Sequence, residues 1–147
     1  MKKKMLIVGI VIAMAITSAI VIAQNEQQQP DKKEMTYVPA DKAVYKEASP
    51  GASMAVVWED KDKGSFGAFT KFVPGFDAGM HSHTFDTRIV VIKGAYLYKD
   101  DAGEKRVASG DFLLVPGGHK HWSGGDAKEG ALFYVESPGK FDLVPAK

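Results

Sequence analysis

The sequence predicts an all-β domain, a sandwich or barrel, behind an N-terminal export segment. Three observations predict it. Short apolar runs rich in β-branched and aromatic residues recur from about Met35 onward. Clusters of Gly, Pro and Asp separate them, as expected of strands joined by tight turns. No stretch after residue 35 carries a helical period of useful length.

The chain opens with Lys2, Lys3 and Lys4, followed by an uncharged apolar run from Met5 to Ala23. A basic start and an apolar run are the pattern of a signal peptide. Val21-Ile22-Ala23 then offers a cleavage site before Gln24. The run has 19 residues, also close to one membrane span. Residues 1–23 are therefore expected to be a signal peptide or a retained N-terminal anchor. Without cysteine there is no site for a lipid attachment. The folded part is expected outside the cytoplasm, periplasmic or extracellular, or anchored at the outer face of the inner membrane. Residues 24–35 are polar, include Pro30, and read as a flexible linker. The domain occupies 36–147.

Within it, strands are predicted at Met54–Trp58, Phe66–Val73, Arg88–Ile92, Ala95–Tyr98, Phe112–Val115 and Ala131–Val135. The dipeptide Lys93-Gly94 suits a bend or a bulge between two of them. Asp100 to Gly103 looks like a hairpin loop, with Gly103 free to take positive φ. Other turns are expected at Ser49-Pro50-Gly51, Asp60 to Gly64, Pro74-Gly75, Pro116-Gly117-Gly118 and Gly124-Gly125-Asp126. Trp58-Glu59-Asp60 begins one of these and reads as structural.

Composition narrows the function. Lys and Arg number 19 against 18 for Asp and Glu, so no basic surface calls for nucleic acid. The absence of cysteine excludes disulfides, thiolate metal sites and cysteine nucleophiles. A metal site here must use nitrogen and oxygen ligands. All four histidines fall in two His-x-His pairs, His81 with His83 and His119 with His121. Residues two apart on a strand face the same side, so each pair can aim both rings into one space. Neutral imidazole is the commonest side-chain metal ligand. A metal ion and a small-molecule ligand or substrate are the expected partners.

With strands and histidines placed, the chain resembles a small single-domain cupin, a double-stranded β-helix or jelly-roll barrel. The first cupin motif runs Gly, five residues, His, one residue, His, three or four residues, Glu, six residues, Gly. Gly75, His81, His83, Thr87 and Gly94 occupy these places, with Thr87 at the Glu position. The second runs Gly, five residues, Pro, one residue, Gly, two residues, His, three residues, Asn. Gly110, Pro116, Gly118, His121 and Gly125 occupy these, with Gly125 at the Asn position. Only 15 residues separate the motifs, which implies a compact barrel. Within cupins the chain is most similar to a branch with an HxHT first motif, here His81 to Thr84.

The resemblance implies that the metal is a divalent transition ion (zinc, iron or manganese) and that His81, His83 and His121 bind it inside the barrel. It also implies a possible homodimer through sheet edges. Thr87 keeps the inward parity of the first pair, but its neutral hydroxyl is a poor ligand. Asp86 has the wrong parity and would need a bulge to reach the ion. His119 shares the parity of His121. It is expected at the barrel mouth as an acid–base group or an ordinary exposed imidazole, or else as a fourth ligand, and Thr87 is the second candidate for a catalytic role. Tyr96, Tyr98, Phe112, Trp122 and Phe133 can line a pocket or simply fill the core. Arg88 is expected to pair with Asp86. The functions implied are a metal-dependent enzyme of dioxygenase, isomerase or lyase type, or a non-catalytic ligand-binding or sensing cupin.

Overall fold

In the computed structural model, residues 34–146 are described. The export segment expected at 1–23 and most of the expected linker lie outside them. A compact unit begins at Thr36. The described residues contain ten strands and no helix. In chain order these are β1 (Lys46–Ser49), β2 (Ala52–Glu59), β3 (Phe66–Phe72), β4 (Asp77–Ser82), β5 (Thr87–Asp100), β6 (Gly103–Ala108), β7 (Phe112–Val115), β8 (His121–Gly125), β9 (Ala131–Ser137) and β10 (Val144–Pro145).

All pairings are antiparallel. One sheet runs β1-β2-β3-β9-β5-β7, the other β6-β5-β8-β4-β10. The two share β5. Its first half pairs with β7 and β9, and its second half with β6 and β8. This curled double sheet is the cupin jelly roll. The two strands expected at 88–92 and 95–98 are thus one strand, bent at the predicted place. The register slips between Val91 and Lys93, and Gly94 has φ +71°. Such a bulge turns a strand from one sheet into the next.

The inward faces follow period-two alternation. Ala68, Ile89, Val91, Tyr96, Phe133 and Val135 form the centre of the core. On β9, buried Ala131, Phe133, Val135 and Ser137 alternate with half-exposed Leu132, Tyr134 and Glu136. Burial of each large apolar side chain here contributes about 1.5–3 kcal/mol. Phe112, a possible pocket residue by sequence, faces outward and is 61% exposed.

The hairpin at Asp100–Gly103 forms as expected, with Gly103 at φ +127°. The turn after Trp58 is structural too. Asp60 Oδ1 accepts the backbone N–H of Asp62 and of Lys63, at 3.0 and 3.2 Å. One turn assignment fails. Gly124 and Gly125 lie in β8, not in a loop. A Cβ at Gly124 would sit 2.5 Å from the Phe76 carbonyl, and one at Gly125 2.8 Å from that of Val73. The glycines are there because neighbouring backbone passes close to a strand. The same contact explains why no asparagine stands at 125.

Candidate metal centre

Each histidine reaches the site by a different route. His81 lies near the end of β4 and His121 opens β8, directly opposite it in register. His83 follows Ser82, just beyond β4. The Pro116-Gly117-Gly118 turn brings β8 into place by docking on the β4–β5 loop. Gly118 N–H donates to the His83 carbonyl at 2.7 Å, and Gly117 N–H to Asp86 Oδ1 at 3.0 Å. A side chain at 117 would collide with the Thr84 carbonyl, 2.5 Å from its Cβ position.

One ring nitrogen from each of His81, His83 and His121 lies within 4.8 Å of those of the other two. His81 and His121 are almost wholly buried, at 2% and 0% exposure. In every ring Nδ1 faces a backbone carbonyl. His81 meets Gly79 at 2.9 Å, His83 meets Asp142 at 2.6 Å, and His121 meets His119 at 3.0 Å. A carbonyl can only accept, so each Nδ1 carries the proton and each Nε2 keeps its lone pair. Metal-binding histidines are held in the same way. The Nε2 of His121 is buried with no hydrogen-bond partner. An unmet buried acceptor costs about 1–3 kcal/mol, a cost that a bound cation would remove. The donor set therefore fits a divalent transition metal.

Burial disfavours the charged form of two of the rings. Burial holds the His81 imidazole below its ordinary value and pushes that of His121 down to about 4, with the neighbouring histidines adding to the second shift. Both shifts carry a consequence for the metal-free protein. Between the unfolded value of 6.5 and about 4, the unfolded chain takes up a proton that the folded His121 refuses. Stability is therefore full above pH 6.5 and falls by about 3 kcal/mol as the pH drops toward 4. His81 acts in the same direction. Thermal melts of metal-free protein from pH 7.5 to 4.5 should show a steadily falling midpoint, and a flat profile would exclude the effect.

Beside the histidines lies a cavity of about 180 Å³, lined in part by His81, His83, Thr87, Thr70, Phe133 and Phe141. Thr87 is buried, at 5% exposure, where the parity of the first pair places it. Tyr96 and Phe133 also line the cavity, whereas Tyr98 stacks on the His121 ring at 5.4 Å. Trp122 faces away and donates from Nε1 to Asp77 Oδ1 at 2.6 Å. A wider depression of about 550 Å³ on the outer face, bordered by Trp122, Lys99 and Arg106, includes none of the histidines.

Two sequence candidates are not brought to the site. The His119 side chain is turned to the surface, its Nε2 2.9 Å from Asp100 Oδ2. The same carboxylate accepts from the Tyr98 hydroxyl at 2.8 Å. These two contacts, that of His119 first, hold Asp100 down to about 2. His119 thus contributes its backbone carbonyl rather than its ring, so of its expected roles the exposed imidazole is the one the geometry matches, not a fourth ligand. Asp86 also stays outside. It accepts from Gly117 and faces Arg88 at 3.8 Å, the pairing expected of it.

Sequence reasoning missed the segment after β9. Phe141 and Leu143 reach the cavity wall, and β10 pairs with β4 so that Pro145 lies opposite His81. Asp142 anchors this segment, accepting from the Thr84 N–H at 2.9 Å and from the Thr84 hydroxyl. The segment is short and bounded by Pro138-Gly139 and Pro145, so Phe141, Leu143 and Val144 form too brief an apolar run to reveal a strand.

Known proteins agree on the architecture. KdgF from Halomonas sp. superposes with a TM-score of 0.59 at 19% identity, over 70% of this chain and 94% of that one. The polyketide cyclase RemF from Streptomyces resistomycificus gives 0.65 at 16% identity, over 78% and 87%. An RmlC-like cupin from Shewanella frigidimarina gives 0.60 at 17%, over 73% and 94%. At these identities the likeness is one of fold. No curated protein matches the chain. The family model described as "Domain of unknown function (DUF4437)" matches residues 30–147, and the chain belongs to that cupin-like family.

Proposed function

We propose that this chain is an exported metal-binding cupin that holds one divalent transition ion on His81, His83 and His121 and acts on a small molecule in the adjoining cavity. One observation carries the reading. Three converging imidazoles each have Nδ1 tied to a carbonyl, and the Nε2 of His121 is buried without a partner. Three neutral ligands leave an ion its full charge and open positions, so it would serve as a Lewis acid toward an oxygen of water or substrate. The chain's own residues set the rest. The carbonyls of Gly79, Asp142 and His119 orient the rings. The aromatic wall would disfavour water. Thr87, which lines the cavity, would offer its hydroxyl to a ligand oxygen.

Among zinc, iron and manganese, imidazole donors without thiolate suit zinc and iron better than manganese, which prefers oxygen ligands. Export rests on the basic start and the apolar run Met5–Ala23. A non-catalytic binding or sensing role is favoured by a different observation: among the described residues, no carboxylate and no lysine lines the cavity.

Metal analysis of protein purified without a histidine tag tests the reading. About one equivalent of a transition metal is expected, and adding the ion to stripped protein should raise the melting temperature. Less than about 0.1 equivalent, with no affinity on titration, would overturn it.

A further inference from the structure

The chemistry of the cavity wall limits what can enter. Its size is close to that of a dry apolar cavity of about 150 Å³ known to accept benzene. Phe72, Phe76, Tyr96, Phe133 and Phe141 supply five aromatic rings to the wall. Phe72 packs against Phe76, Phe133 and Tyr96 with centroids 4.3, 4.9 and 5.8 Å apart. Among the described residues, no Asp, Glu, Lys or Arg lines it. A charged group placed here, away from the histidines, would lose its hydration without gaining a counter-ion.

One polar group in this wall stands out. Thr70 is 5% exposed, and its Oγ1 has no hydrogen-bond partner. It lies on the inward face of β3, between Met54 on β2 and Phe133 on β9. Phe133 in turn pairs with Val91, four residues along β5 from Thr87. Thr70 therefore faces a different part of any occupant from the part that meets the histidines. Valine at this place would fill the same volume with no unmet group, so the hydroxyl has a cost that packing alone does not offset.

We propose that the cavity selects a small, electrically neutral molecule with an apolar ring, which presents one oxygen to the histidine cluster and hydrogen-bonds Thr70 Oγ1 with a second polar group. The selection by the wall is independent of metal. The oxygen at the histidines rests on the function proposed above.

Three probes test this by calorimetric titration, with metal-free and zinc-loaded protein in parallel. They are 4-hydroxybenzyl alcohol, benzyl alcohol, which lacks the second polar group, and xylose, a neutral polar molecule of similar size. Both aromatics should bind at least about tenfold more tightly than xylose in either form of the protein, as the apolar wall requires. The first should exceed the second by roughly three- to tenfold, the range of one neutral hydrogen bond. Thr70→Val should abolish that preference while leaving the melting temperature equal or higher, and Thr70→Ser should retain it. Xylose binding as tightly as the aromatics, no binding of either aromatic at millimolar concentration, or a preference that survives in Thr70→Val would each overturn the proposal. Zinc stoichiometry is read separately. Failure to load zinc, iron or manganese removes the metal reading, whereas the probe ranking on metal-free protein still decides the wall's selectivity.

Discussion

His121→Ala should lower transition-metal affinity by at least about a hundredfold, since a structural site shares about 10–16 kcal/mol among its few ligands. His121 is the ring whose free nitrogen is fully enclosed, so no outside group can substitute for it. The variant should also lose the rise in melting temperature that metal gives the parent. That rise is about 2.7 kcal/mol in stability when free metal is a hundredfold above Kd. His119→Ala is the matching control, because its ring faces Asp100 and its useful atom is the backbone carbonyl. Its metal affinity should stay within about twofold of the parent. Equal losses in both variants would mean that the ion sits elsewhere. The same pair separates enzyme from binder. Turnover lost in His121→Ala with the fold intact marks a catalytic metal. A change in stability alone, with no turnover on a broad substrate panel, marks a structural one.

The largest effect on folding is expected at Gly94. Its φ is +71°, and a Cβ there would sit 2.3 Å from the Gly130 carbonyl oxygen. That carbonyl cannot yield freely, because it accepts the Ala95 N–H at 3.0 Å. Gly94→Ala combines left-handed strain with a clash against fixed backbone, and should cost about 4 kcal/mol. For a domain of this size that lowers the melting temperature by about 15 °C. Gly110→Ala isolates the first term. Gly110 also has positive φ, +89°, but nothing lies within 4 Å of its Cβ position. A cost near 1 kcal/mol is expected there. Similar melting temperatures for the two variants would show that the approach of Gly130 does not matter.

Gly94 also shows how much was legible in the sequence. A glycine between two apolar runs marked the bend of β5, though not that the strand continues through it. The strands read in advance are those whose β-branched and aromatic residues fill the core. Those missed are held by their neighbours instead. In β4, Asp77–Ser82 has no β-branched residue and owes its conformation to pairing with β8 and β10. In β6, Gly103–Ala108 is mostly polar, and only Val107 is buried. At the site, spacing and parity singled out His81, His83 and His121, and the structure brings these three together. Parity misled at His119, because it lies before β8 begins at His121 and is not held in the sheet. Thr70 had an inward parity but no signal of its function, since an unmet hydroxyl is a property of its surroundings.

The three rings differ in what holds them. His81 and His121 donate to carbonyls two residues away, so each is oriented as soon as its own strand forms. His83 donates to Asp142, 59 residues later. Its orientation therefore depends on how the segment after β9 is seated on the β4–β5 loop. The Asp142–Thr84 contacts fix that seating, so loosening them would free one ring of the three and leave the other two as they are.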